Sequence, residues 1–264
     1  MKSLVKNILT YSSLLLLCAC SQSSLQQDTA TKAFLDYENN IIVLPLDEYL
    51  ENSNDSLNYR KIVDQRLKEC FIQHGDTYTP DTYEVIGTRT YGLWNPEHAR
   101  LYGFGSIGHQ PPMNDQKMLE KCDEEIDSDG LLAHLRDLSA PSELVGRLLS
   151  ESYSAARDNP AWQEAREAWW ACLKDKGLTP RTGSSEWGTE EDRNLSSLSA
   201  EENIRIATIE AQCSKDTGMA QTLADLEASY QAPLVKENQD ALNSIKEDLE
   251  TYRQKMQDYL AQHQ

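Results

Sequence analysis

The sequence predicts a mainly α fold: a disulfide-bridged helical domain with few or no strands and a long amphipathic helix at its carboxy-terminal end. Three observations carry this. A helix-ending unit, cysteine with glycine five residues later, occurs as Cys70 to Gly75, Cys172 to Gly177 and Cys213 to Gly218. Glycine at that offset suits the left-handed residue that closes a helix, so each thiol falls on a last turn and faces the core. Apolar residues recur at three and four over long stretches, the period of a helix with one buried face. Once the first segment is set aside, Cys70, Cys122, Cys172 and Cys213 remain for pairing, an even number that suits two bridges in an oxidising compartment.

That first segment has a chemistry of its own. Lys2 and Lys6 precede an apolar run from Ile8 to Leu17, which ends in Leu17-Cys18-Ala19-Cys20. A charged start, a short apolar core and small residues before a cysteine describe an export signal too short to stay as a span. The four residues resemble a bacterial lipobox, which implies cleavage before Cys20 and a diacylglycerol on its sulfur. Ser21 follows, so the aspartate of an inner-membrane retention signal is missing. The expected plan is a signal peptide over 1–19, a flexible tether over 20–40, a bridged helical domain over 41–218 with halves of about 41–138 and 139–218, and an amphipathic helical segment over 219–264. The expected location is the extracytoplasmic face of the membrane, held by lipid.

The chain has 25 basic against 43 acidic residues, a formal charge of −18. Nucleic acid and anionic lipid both need clusters of lysine and arginine, so neither is an expected partner. The acyl chain alone must hold the protein to the bilayer.

In chain order, residues 21–40 are rich in Ser, Gln and Thr and read as a tether. Ile41-Ile42-Val43-Leu44-Pro45-Leu46 is an apolar run broken by proline, an extended segment or edge strand. From Tyr59 the pattern is helical, with Val63, Leu67, Cys70 and Phe71 on one stripe. The stretch between Cys70 and Cys122 is irregular, carrying Tyr78, Tyr83, Arg89, Tyr91, Trp94, Tyr102 and Phe104 among glycines and prolines. Such aromatics make either a shallow ligand surface, with Arg89, Tyr91, Trp94 and Tyr102 as its candidates, or the cover of a small core. Met118, Leu119, Cys122 and Ile126 mark a helix. Glu125, Asp127, Asp129 and Gly130 then match positions one, three, five and six of an EF-hand loop, but Arg136 stands where the closing glutamate belongs.

A helix of Leu144, Val145, Leu148, Leu149 and Tyr153 follows Pro141. The next has Asn159 as cap and Pro160 at its first position, and its stripe is Trp162, Ala165, Trp169, Cys172 and Leu173. With the cysteines aligned, Val63 falls over Ala165, Leu67 over Trp169 and Phe71 over Leu173, the trace of an internal duplication. Residues 181–197 read as a loop. Ser199-Ala200-Glu201-Glu202 is a capping box that starts a helix with Ile206, Ile209 and Cys213 on one face. Beyond Gly218, Val235, Asn238, Leu242, Ile245, Leu249, Tyr252, Met256 and Tyr259 alternate at three and four as in a coiled-coil seam, and Pro233 should kink or interrupt the helix before it. That seam either folds back on the domain or meets a partner helix.

Four cysteines allow three connectivities; Cys70 with Cys122 and Cys172 with Cys213 is preferred because it closes one bridge inside each half. No Cys-x-x-Cys pair exists, and no metal or other cofactor is expected.

The order Leu44-Pro45-Leu46-Asp47-Glu48-Tyr49, the Cys70 to Gly75 helix end, Arg89-Thr90-Tyr91-Gly92, Leu101-Tyr102-Gly103, Trp169 to Gly177 and Cys213 before a long helix resembles a family of secreted and lipid-anchored actinobacterial proteins. Glu210 stands where that family has an aspartate. The resemblance implies surface location and disulfides and adds no chemistry.

The chain carries no Gly-x-Ser-x-Gly, no His-Glu-x-x-His and no phosphate loop, and acid pairs such as Asp47-Glu48 or Glu190-Glu191 arise by chance in so acidic a sequence. A non-enzymatic interaction or structural lipoprotein is the expected function. A ligand-binding lipoprotein serving a transporter or a cell-wall glycan is the alternative.

Overall fold

A computed structural model describes residues 25–81, 87, 89–105 and 112–263. The fold is mainly helical, with one two-stranded sheet. Strands β1 (Phe34–Asp36) and β2 (Ile41–Val43) pair antiparallel, Leu35 opposite Ile42. A 3-10 turn (Pro45–Tyr49) leads to helix α1 (Ser53–Gln73). Then come α2 (Pro96–Tyr102), α3 (Gln116–Glu125), α4 (Leu131–Leu138), α5 (Glu143–Arg157), α6 (Pro160–Asp175), α7 (Ala200–Thr217), α8 (Met219–Glu237) and α9 (Gln239–Gln262).

Asn159 accepts the Ala161 N–H ahead of Pro160, as expected, and Ser199 accepts the Glu202 N–H. The capping box is only half made, because the Glu202 carboxylate pairs with Arg205. The first two cysteine helices end alike: Gly75 and Gly177 have φ of +77° and +81°, and the residues after them, Asp76 and Leu178, donate to the carbonyls of Phe71 and Leu173. This is the Schellman closure, which satisfies carbonyls that a helix end leaves open. A Cβ at residue 177 would touch nothing within 4 Å, so any penalty there is conformational. Gly177→Ala is expected to lower the urea unfolding free energy by about 1 kcal/mol with unchanged helical circular dichroism.

Both bridges have the pairing preferred from sequence. Cys70–Cys122 ties α1 to α3, and Cys172–Cys213 ties α6 to α7. The two bridged groups are not contiguous halves, however. The first is completed by α9, whose Leu249, Tyr252 and Met256 are buried with Ile62 of α1 and Leu132 and Leu135 of α4. The second takes the hairpin from the start of the chain: Leu35 and Ile42 join Trp162, Trp169, Leu173 and Leu223 in the largest core. The 3-10 turn sits between the groups, burying Leu46 and Tyr49 against Val145, Leu148, Leu234 and Leu242.

Three expectations meet the structure here. Of the two readings of the seam from Val235 to Tyr259, folding back on the domain is the one observed, since its Leu242, Leu249, Tyr252 and Met256 are covered by the protein's own elements. Pro233 does not break α8, which runs on to Glu237. The carbonyl of Ser229, which the missing proline N–H would leave unpaired, accepts the Asp28 N–H at 2.8 Å. That bond bears on the third expectation: residues 25–40 are not a free tether. Gln27 donates to the Ser229 hydroxyl and Ala33 N–H to the Asp225 carboxylate, and Leu25 packs beside the 3-10 turn.

Candidate binding cleft

Strand β2, the 3-10 turn and the first residues of α1 enclose a cleft of about 610 Å³. Its shape follows from Leu44-Pro45. A residue before proline is pushed to extended backbone, and Leu44 has φ −117° and ψ 159°. The chain therefore leaves β2 straight, turns abruptly at Pro45, and leaves Ile41, Val43, Leu44, Pro45 and Leu50 along a concave apolar wall. Asp47, Glu48 and Glu51 supply its charge. Asp47 accepts the Leu44 N–H at 2.7 Å, which fixes the turn, and burial raises its carboxyl above the usual range despite that bond. Glu48 is held by Lys246 of α9.

Tyr91 lines the same cleft and continues into a buried polar chain. Its hydroxyl donates to Glu227 Oε2 at 2.6 Å, Gln231 Nε2 donates to Glu227 Oε1 at 3.2 Å, and Leu46 N–H donates to Gln231 Oε1 at 3.0 Å. Burial raises the Glu227 carboxyl, opposed by the Tyr91 bond and reinforced by the charge of Asp47. Burial, then Glu227, raises the Tyr91 phenol in turn. Among the described residues no basic side chain forms an ion pair with Asp47 or Glu227.

Of the two readings of the aromatic stretch, ligand surface or core cover, the second holds for Tyr91 and Trp94. Tyr91 and Trp94 are buried core residues, Tyr91 edge-on to Trp162 at 5.8 Å and Trp94 edge-on to Tyr37 at 5.0 Å. Arg89 is half-buried and donates to the Phe104 carbonyl, while Tyr102 lies against His98. Of the four, only Tyr91 reaches the cleft. A turn at Gly92, whose φ is +78°, swings the aromatics inward to fill the gap between the hairpin and α6. The tryptophans of α6 are likewise core, Trp162 and Trp169 being almost fully enclosed.

The acidic motifs are occupied by local structure. Asp127 accepts the N–H groups of Leu132 and Ala133 at the start of α4, and Asp129 pairs with Arg66 at 2.7 Å, which holds its carboxyl down to about 2. Glu190 pairs with Arg193, and Glu191 accepts the Thr179 N–H. The surroundings of Arg166 and Glu210, both buried, escaped sequence reasoning. Arg166 lies 4.8 Å from the ring centroids of Trp170 and Trp187 and donates to the carbonyls of Gly183, Ser184 and Glu186. Glu210 accepts from the Thr189 hydroxyl beside Asp192, which pairs with Arg181. Their partners are loop carbonyls and a loop hydroxyl, which no spacing announces. Cys20 lies outside the described residues.

Neither a protein-family model nor a curated protein nor a solved structure matches this chain. Its two disulfides mark an oxidising location. Among the described residues no helix is long and apolar enough to cross a membrane.

Proposed function

We propose that the protein is an exported lipoprotein, acylated at Cys20, whose bridged helical domain binds an amphipathic cation in the cleft of β2, the 3-10 turn and α1. The observation that carries this reading is a wall of Ile41, Val43, Leu44, Pro45 and Leu50 beside the carboxyl of Asp47. A ligand with an apolar body and an amino or guanidino end matches both parts, and the formal charge of −18 attracts it from a distance. Binding, not turnover, is the act proposed. The carboxylates nearest the cleft already serve the turn and the Tyr91 chain.

The anchor shapes how the cleft is presented. From Cys20 to Leu25 the chain reaches at most about 18 Å, so acylation at Cys20 keeps the domain close to the bilayer. Intact mass of the membrane-extracted protein tests this part: a diacylglyceryl adduct on an amino-terminal Cys20 is expected, and an unmodified terminus elsewhere refutes it.

Ligand binding is tested by thermal unfolding against long-chain alkylamines and short basic amphipathic peptides. At a hundredfold excess over Kd a ligand stabilises by about 2.7 kcal/mol, a rise of several degrees. Val43 is exposed, so Val43→Arg leaves the fold intact while placing a cation across the wall. It is expected to abolish the rise. A rise with neutral or anionic amphiphiles, or one untouched by Val43→Arg, refutes the reading.

A further inference from the structure

The Cys70–Cys122 bridge has neighbours that a purely structural disulfide does not need. His74, the residue that caps α1, lies four residues after Cys70, and Glu125 lies three residues after Cys122 on α3. Those are the two spacings that put side chains on one helix face. The bridge brings the two faces together. His74 Nε2 is 2.9 Å from Glu125 Oε2, and that oxygen is 3.5 Å from Cys70 Sγ. The three donor atoms all lie within 4.8 Å of one another. Cys122 Sγ stands outside that cluster but is bonded to Cys70 Sγ.

We propose that reduction of this bridge converts the α1–α3 junction into a zinc site held by Cys70, His74, Cys122 and Glu125. In tetrahedral zinc, bonds of about 2.3 Å to sulfur and about 2.0–2.1 Å to nitrogen and oxygen set donors roughly 3.4–3.8 Å apart. The present nitrogen–oxygen and oxygen–sulfur separations are within about 0.5 Å of those values. The Cα atoms of the cysteines are 5.9 Å apart, a span that lets two thiolates part around an ion by side-chain rotation. Lys121 Nζ, 3.1 Å from His74 Nδ1, is exposed and turns aside when that nitrogen carries the proton of a metal-bound imidazole. The ion has a way in: Cys70 and Glu125 border an open polar cleft of about 850 Å³ with Arg66, Asp129 and Tyr259.

The chemistry balances through a dithiol reductant. Its thiolate attacks one sulfur of the bridge and its second thiol resolves the mixed disulfide. The reductant leaves as its own disulfide, and Cys70 and Cys122 gain two electrons and two protons as thiols. Zinc then displaces both protons and takes the thiolates, His74 and Glu125 as ligands. Reoxidation by a small-molecule disulfide reverses each step and releases the ion, so the site is open only in the reduced chain.

The test uses the full chain with Cys18 and Cys20 replaced by serine and Cys172 and Cys213 by alanine, since all four would add thiols on reduction. After reduction by a phosphine, zinc is titrated against a chromophoric chelator, and cobalt is added to a parallel sample. The expected result is one tight zinc per reduced chain and none per oxidised chain. Cobalt is expected to give thiolate charge-transfer and tetrahedral d–d bands. His74→Ala and Glu125→Gln should each weaken zinc by more than about tenfold and alter the cobalt spectrum. Equal zinc affinity in the reduced parent and both variants overturns the proposal. Should reduction unfold the chain, zinc must restore its helical circular dichroism; failure to do so overturns it as well.

Discussion

The double substitution Cys172→Ala, Cys213→Ala is expected to lower the unfolding free energy by about 4 kcal/mol. The bridge closes a loop with a sequence separation of 41, and the chain-entropy model assigns a crosslink of that span roughly that value. Domains of this kind have about 5–15 kcal/mol in all, so one bridge is a large part of the total. The location adds to the effect. Cys213 is buried beside Trp169, Leu173 and Ile206, where α6 meets α7, and the same core receives the hairpin and α8. Loosening α6 from α7 therefore opens the core into which Ile42 and Tyr91, on the border of the cleft, are packed. Urea unfolding followed by tryptophan fluorescence reads this directly, because Trp162 and Trp169 sit in that core. An unchanged midpoint would mean that the unfolded chain gains no freedom when the link is cut, contrary to the argument.

Much of this architecture is legible in local sequence, because helices are specified locally. Asn159-Pro160 and Ser199 announce their helices by satisfying the first free N–H groups, and the cysteine-to-glycine units announce the stops by supplying the left-handed residue. The misreadings and the open alternatives have one physical origin: the group that decided each outcome lies far away in the chain. Pro233 looks like a break until Asp28 takes the carbonyl it frees, at a separation of 201 residues that no window covers. The same bond turns a polar tether into a docked segment. The seam in α9 is visible as a period, but a period does not say whether a partner or the chain's own α1 and α4 will cover it. Tyr91 and Trp94 show the same limit, since a glycine-rich loop can turn its aromatics either way. The cleft itself was half visible. Its wall is the contiguous run from Ile41 to Ser53, while Tyr91, bonded to Glu227 of α8, joins it from outside that run.

Glu210 is expected to make the stability of the protein fall as pH rises above the ordinary carboxylate range. Its side chain is enclosed between α7 and the loop carrying Thr189 and Asp192. Burial first, and the neighbouring Asp192 carboxylate second, raise its carboxyl to about 8, against a lowering by the Thr189 hydroxyl and Arg181. In the unfolded chain the same group titrates near 4.5. Between those two values the native state holds a proton that the unfolded state has released. The stabilisation is therefore complete below the lower value and is lost as pH rises through the upper one. With one proton at stake the slope approaches about 1.4 kcal/mol per pH unit mid-window, and the loss from pH 5 to pH 8 is on the order of 3 kcal/mol. Glu210→Gln keeps an acceptor for the Thr189 hydroxyl and cannot ionise. In the Gln variant the unfolding free energy should fall less over this range than in the parent, the remainder belonging to Asp47 and Glu227, whose carboxyls burial also raises. Glu210→Asp, with a shorter carboxyl, should keep the pH dependence but lose the Thr189 bond, and so be less stable at pH 5. Chemical denaturation of the three proteins at pH 5, 6.5 and 8 separates these outcomes, and parallel curves for parent and Gln variant would remove Glu210 as the source.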